Sequence, residues 1–431
     1  MSLLIKNAKI VGPDKIALKA QNILIEKGMI KEITGEECPS NIKTIDARGC
    51  YVVPGFIDLH VHFREPGRED KETIETGSKA AVKGGFTTVL CMPNTTPVID
   101  NKLIVEGIMK EARRVGLLNV IPVGAITKGQ KGEELSDLFE LKEAGCLAVS
   151  EDGATVQNSN LMRLAMDYCK MTGLFVMDHC QDGFLSQGGV MNEGYHSTVL
   201  GMKGDPGISE TVVVARDIEL SRYLNAPIHL VHMSLKRSME LIQQAKKQGI
   251  QVTAEACPHH FSLSDDMVAS FNTSFKVNPP LRSKEDVSAI KKAIKDGVID
   301  CISTDHAPHT REDKEQDFDH APFGMIGLET ALGVTVSELV LQDYLTWPQL
   351  VQRMSLKPAE LLQLDNKGKI KEGFDADITI IDPEAEWEVR AEDFVSKSSN
   401  SPFIGRTLKS KVKYTIYGGK VVYQCYTKSI N

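Results

Sequence analysis

A chain of 431 residues is too long for one small core and suits a large α/β barrel with a small accessory domain. Its net charge of −8, with Lys and Arg scattered rather than clustered, excludes an electrostatic footprint for nucleic acid or an anionic membrane and leaves small molecules or other protein chains as partners. Met1 leads straight into Leu3-Leu4-Ile5-Lys6-Asn7 without a signal-peptide core, no apolar run approaches a membrane span, and nine dispersed cysteines without a C-x-x-C pair read as reduced thiols, so a soluble cytoplasmic protein is expected.

From the N-terminus, short β-like runs at 3–11, 21–26 and 29–34 are separated by turn residues, with no helix-length period. Similar runs return at 376–382, 411–416 and 420–423. Two β-rich ends around an alternating middle predict that residues 1–52 and 365–431 come together as one small β-sandwich-like domain. Between them, apolar strand candidates at 55–60, 87–92, 119–126, 146–150, 173–179, 228–233, 251–256 and 301–304 alternate with amphipathic helical stretches at 72–83, 102–115, 160–171, 211–224, 236–247 and 284–296. Eight βα units predict an α/β protein whose residues 53–364 form a (β/α)8 TIM-type barrel. No G-x-G-x-x-G follows the first strand and no P-loop is present, which removes support from dinucleotide and nucleoside-triphosphate readings. Gly84-Gly85 reads as a helix stop.

Chemistry enters at His60-Val61-His62, closing the first barrel strand. Strand residues alternate faces, so histidines two apart project to one side and can hold a cation. Taken alone, the pair also fits two unrelated polar residues at a strand end. The difference lies downstream, because barrel strands converge at their carboxyl ends. Asn94 follows the second strand, Asp152 the fourth, His179 ends the fifth, His232 the sixth and Asp305 the eighth. Asp178 and His229 should face away from this mouth, and His196, His259, His260, His306 and His320 read as surface or supporting groups. Histidine nitrogen with carboxylate oxygen suits Zn²⁺ better than Ca²⁺ or Mg²⁺. Such an ion makes water reactive near neutral pH and polarises a carbonyl, which points to hydrolysis. Asp305 is the candidate to carry a proton from the attacking water to a leaving nitrogen.

These residues fall in a pattern that resembles a family. G-F-I-D-L-H-V-H-F-R-E-P-G (55–67), C-M-P-N-T (91–95), S-E-D-G (150–153), D-H-C (178–180), V-H-M-S (231–234), V-N-P-P-L-R (277–282), S-T-D-H-A-P-H (303–309) and G-K-I-K-E-G-F-D-A-D-I (368–378) together resemble the dihydroorotases, in their longer bacterial class within the amidohydrolase superfamily. Single pieces such as H-x-H are shared with allantoinases and hydantoinases; the combination is specific. The resemblance implies reversible closure of N-carbamoyl-L-aspartate to L-dihydroorotate in pyrimidine synthesis. It implies His60, His62, Asp152, His179, His232 and Asp305 as metal ligands, with Asp305 also the proton shuttle. It implies Arg64, Asn94 and His309 as the grip on the substrate carboxylate and Asn278 as a lining of the ring pocket. A planar guanidinium suits a carboxylate, although Arg64 by itself would equally fit a surface ion pair.

One departure stands out, since Ser150-Glu151-Asp152-Gly153 holds no lysine where many superfamily relatives carry a metal-bridging carbamylated lysine. The expectation is one firmly bound zinc and a second that depends on conditions. A homo-oligomer, or association with aspartate carbamoyltransferase, is the expected assembly. The charged segment 310–323 reads either as a surface loop or as a lid over substrate. An allantoinase or hydantoinase-type cyclic amidase, or a noncatalytic assembly partner, is the alternative; the full ligand set argues against the last.

Overall fold

The computed structural model describes residues 2–36 and 41–425. Met1, Cys38 and residues 426–431, on which parts of the sequence reading fall, lie outside the described residues. The centre is a ring of parallel strands: β1 (Phe56–Val61), β2 (Phe86–Cys91), β3 (Asn119–Pro122, carried on after Val123 by Gly124–Ala125), β4 (Ala148–Ser150), β5 (Phe175–Asp178), β6 (Ile228–Leu230), β7 (Val252–Ala256) and β8 (Cys301–Ile302). Each pairs with the next in chain order. The ring closes where Val61 bridges His306 and the Thr304 amide donates to Oδ1 of Asp58 at 3.1 Å.

Around it run α1 (Ile74–Lys83), α2 (Lys102–Val115), α3 (Leu138–Ala144), α4 (Ser159–Thr172), α5 (Ile208–Leu224), α6 (Lys236–Lys247), α7 (Lys284–Asp296) and α8 (Ala331–Thr335). Local sequence sets these limits. Thr73 and Ser283 close capping boxes at the starts of α1 and α7, and Gly173, at φ 71°, ends α4 just before the chain turns into β5. The sequence reading contained no helix at α3, whose seven residues are too few to show a helical period.

Inside the ring, Ile57, Leu59, Leu90, Ile121, Met177 and Val231 pack against Ala359 and Leu362 from the chain ahead of the terminal sheet. That sheet joins both ends of the chain. Ile378 pairs with Pro54 and Ile380 with Val52, antiparallel, and Leu3, Ile5, Ile23, Ile25, Ile378 and Ile416 share its core. Thr379 and Thr415 fasten it to the barrel by donating to the carbonyls of Gly85 and Val82, each at 2.6 Å. Among the described residues, no helix is long and apolar enough to cross a membrane.

The strands end earlier than the apolar runs suggest. The ladders stop at Asp178, Leu230 and Ile302, which leaves His179, His232 and Asp305 in the loops just beyond. For two of them the reason is conformational. His232 has φ 37° and Asp305 φ 48°, in the left-handed region, outside the extended backbone of a regular strand. Arg64, two residues past His62, has φ 61°. Non-glycine residues held there cost roughly 1–3 kcal/mol each and cluster where a side chain must be aimed.

Candidate metal centre

At the carboxyl ends of the strands opens a cavity of about 200 Å³. It is lined by His62, Arg64, Asn94, Asp152, His179, His232, Asn278, Asp305 and His309. His60 is fully buried at its floor, so all ten residues singled out by the sequence meet at one place.

Asp152 is the hub. Its Oδ1 lies 3.2 Å from Nε2 of His60, 3.6 Å from Nδ1 of His179 and 3.7 Å from Nε2 of His232, while Oδ2 lies 3.5 Å from Nε2 of His62. Asp305 approaches from the other side, with Oδ1 3.0 Å from Nε2 of His62 and 3.6 Å from Nε2 of His60. His60 Nε2, Asp152 Oδ1 and His179 Nδ1 are buried without a hydrogen-bond partner. Buried polar atoms are seldom left so, and three of them meeting at one point fit a bound cation. His60, His62 and Asp305 form one close ligand triad, and His60, Asp152 and His232 another. Burial works to raise the Asp152 carboxyl, but His60, His179 and His232 more than offset it and hold it well below the ordinary carboxylate range. Asp305 is held down in the same way, mainly by His62 and His60 against its burial. Both carboxylates are therefore anionic and ready for a metal.

A second layer orients the ligands. Oε1 of Glu255, from β7, lies 3.1 Å from Nδ1 of His60, and its Oε2 pairs with Nε2 of His229 at 3.2 Å and accepts from Ser303 at 2.5 Å. Glu255 holds a proton on Nδ1, so Nε2, turned toward Asp152 and Asp305, is the nitrogen His60 would offer a cation. Asn94 Oδ1, 2.9 Å from Nδ1 of His62, does the same for that ring. Gln181 and Asn278 exchange side-chain amide bonds at 2.9 Å, and both approach Nε2 of His179, at 3.4 and 3.2 Å. Sequence reasoning missed Glu255 and Gln181. The signal for Glu255 was a lone acid inside the apolar run Val-Thr-Ala-Glu-Ala; Gln181 gave none.

Three of the histidines read as surface or supporting groups are buried. His259 and His260 are 2% exposed and His306 is fully buried. His306 takes the Gly327 amide on Nδ1 at 3.2 Å and faces Glu72 through Nε2 at 3.3 Å. Burial pushes His259 down to about 4, so it is neutral near physiological pH.

The cavity's outer corner is cationic. Arg64 Nε donates to the Pro308 carbonyl at 3.2 Å, and burial lowers its guanidinium to about 10, which leaves it charged near neutrality. His309 Nε2 lies 2.7 Å from the Phe323 carbonyl oxygen and 3.4 Å from Nη2 of Arg64. Gly324 permits this approach, since a Cβ there would stand 2.9 Å from His309 Nε2. Segment 310–323 covers this corner and is strapped down: Lys71 pairs with Asp313 at 2.8 Å, and Lys276 Nζ donates to the Asp319 carbonyl at 2.9 Å.

Residues 49–238 match the family model described as dihydro-orotase-like, and residues 248–423 that of the amidohydrolase family. The chain is 49% identical to the protein named dihydroorotase of Geobacter metallireducens, across 98% of this chain and 100% of that one. It is 50% identical to the protein of that name from Acetivibrio thermocellus, across 97% and 98%. Among solved structures it resembles an L-hydantoinase (dihydropyrimidinase) from Arthrobacter aurescens, with a TM-score of 0.87 and 26% identity over 98% and 96% of the chains. A dihydropyrimidinase from Brevibacillus agri shares the fold, with a TM-score of 0.86 at 22% identity over 98% and 95%.

Proposed function

This chain belongs to the dihydroorotase family of amidohydrolases, and from that membership we infer that it catalyses the reversible, zinc-dependent cyclisation of N-carbamoyl-L-aspartate to L-dihydroorotate in de novo pyrimidine biosynthesis. The observation that carries the reading beyond a generic cyclic amidase is the shared cavity. An anionic His/Asp cluster forms its floor and a cationic corner at Arg64 its rim.

We assign His60, His62, Asp152, His179, His232 and Asp305 as zinc ligands. Bound there, zinc supplies Lewis-acid polarisation of the ring carbonyl and acidifies water for attack near neutral pH. One ion would be firmly held and a second would depend on conditions, since the two triads share His60 alone and Asp152 belongs to one of them. Arg64, Asn94 and His309 bind the substrate carboxylate, and Asn278 lines the ring pocket. Asn94 holds His62 through Oδ1, and its Nδ2, which makes a long contact of 3.4 Å to Oδ2 of Asp152, is the donor it would turn to substrate.

In ring opening, the water oxygen bonds to the ring carbonyl carbon while the Asp305 carboxylate takes its proton. The carbon–nitrogen bond then breaks, and Asp305 returns the proton to the departing nitrogen, which leaves as the ureido NH₂. Ring closure is the reverse, with the ureido nitrogen attacking and Asp305 shuttling its proton to the departing oxygen.

We also place the enzyme in the cytoplasm, since the eight described cysteines are free thiols that suit a reducing compartment. It works there as a homo-oligomer or beside aspartate carbamoyltransferase. The support is a set of exposed apolar side chains after β5, namely Phe184, Tyr195 and Val199. The test of function is to incubate the zinc-loaded protein with L-dihydroorotate, allantoin and dihydrouracil separately, with and without chelator. Chelator-sensitive opening of the first alone is expected; turnover of allantoin or dihydrouracil in preference would make the chain a different cyclic amidase.

A further inference from the structure

Lys71 lies in the loop between β1 and α1 and is only 7% exposed. Its Nζ stands 3.0 Å from Nδ1 of His309 and 2.8 Å from Oδ2 of Asp313. An ammonium has hydrogens and no lone pair, so Nδ1 must be the acceptor. The Phe323 carbonyl, 2.7 Å from Nε2, can only accept, so Nε2 carries the ring proton. These two contacts fix one neutral tautomer of His309. Burial, with Arg64, Lys71 and Lys314 nearby, pushes its pKa down to about 2, which keeps a second proton off the ring. Arg64 Nη2, 3.4 Å from the same Nε2, is also a donor. One corner of the cavity thus holds a charged guanidinium beside an imidazole N–H that the Phe323 carbonyl occupies, an arrangement that attracts an anion.

We propose that Lys71 is a positioning residue for substrate recognition: by donating to Nδ1 it keeps the N–H of His309 at Nε2, beside Arg64, where a substrate carboxylate would take it over from the Phe323 carbonyl. This rests on the assignment of His309 to carboxylate binding. Without Lys71 only the Phe323 carbonyl opposes transfer of the proton to Nδ1, where Asp313 Oδ2, 3.6 Å away, would accept it, and a lone pair at Nε2 would then face the incoming carboxylate. The pairing with Asp313 ties the same ammonium to segment 310–323, so the tautomer and the seating of that segment depend on one side chain.

The test compares zinc-loaded wild type with Lys71→Met, Lys71→Arg, His309→Ala and the Lys71→Met/His309→Ala double variant on L-dihydroorotate. Lys71→Met is expected to raise KM about 10- to 100-fold with kcat within about threefold, the range set by loss of one charge-assisted hydrogen bond. Lys71→Arg should recover part of that loss, and Lys71→Met should add nothing once His309 is gone. An unchanged KM, a loss confined to kcat, or an undiminished effect in the double variant would overturn the proposal. Nitrogen-15 NMR of ring-labelled histidines reads the tautomer without any substrate, the His309 signals being those missing in His309→Ala. A protonated Nδ1 in wild type, or the same tautomer in Lys71→Met, would also sink it. Wild type that fails to open L-dihydroorotate would count against the function, while the NMR result would still decide the tautomer.

Discussion

Nδ1 of His60 lies 3.1 Å from Oε1 of Glu255, and both side chains are fully buried. Glu255 thereby fixes which nitrogen of His60 can bind a cation and makes that nitrogen more basic. Removing its charge with Glu255→Gln should weaken zinc retention about 10- to 100-fold, the range typical of such supporting carboxylates. Competition against a chelator of known affinity measures it, and an unaltered zinc affinity would show that Glu255 serves the core rather than the metal.

Asp305 is assigned two duties, and substitution separates them. Asp305→Asn keeps an oxygen for the metal but cannot accept a proton from water. Turnover should fall by about 10²- to 10⁴-fold, the usual weight of a general acid–base group, while zinc content stays at the wild-type level. Retained turnover would remove the shuttle role.

Arg64 should act on capture rather than on chemistry. Arg64→Ala deletes the one guanidinium lining the cavity and should raise KM for L-dihydroorotate about tenfold or more, as expected for loss of a charge-assisted hydrogen bond, with kcat little changed. Steady-state kinetics decides it, and an unmoved KM would put the carboxylate elsewhere.

Lys314 makes stability depend on pH in the same direction as an acid-labile ion pair, but in an alkaline window. Its Nζ donates to the carbonyls of Pro322 and Gly324 at 2.8 and 3.0 Å, and burial, helped by Lys276, pulls its pKa down to about 7. An unfolded lysine titrates near 10.4, so between about pH 7 and 10 the unfolded chain holds the extra proton and stability rises with pH. Lys314→Met should flatten that rise. Melting temperatures of both proteins at roughly pH 7 and 9.5 provide the check, and parallel slopes would refute it.

The ring of strands and the convergence of ligands were legible because both are periodic. Apolar runs alternate with amphipathic stretches, and each ligand stands just past a run. Backbone aim was not legible: nothing in V-H-M-S or S-T-D-H says that His232 and Asp305 leave the strand through positive φ. Long-range polar pairing was hidden as well. Glu255 meets His60 across 195 residues and Lys71 meets His309 across 238, so neither partnership leaves a local pattern. The choice between a surface and a supporting place for His259, His260 and His306 stayed open for the same reason, since they lie in loops that the closed barrel covers.

The central claim is that four imidazoles and two carboxylates hold zinc at the mouth of the barrel. Anomalous diffraction from crystals of zinc-loaded protein, recorded on either side of the zinc absorption edge, tests it most directly. The account predicts a peak among His60, His62, Asp152, His179, His232 and Asp305, within about 2.0–2.2 Å of their nitrogen and oxygen atoms. Full zinc occupancy at another position, with this cluster empty, would contradict it.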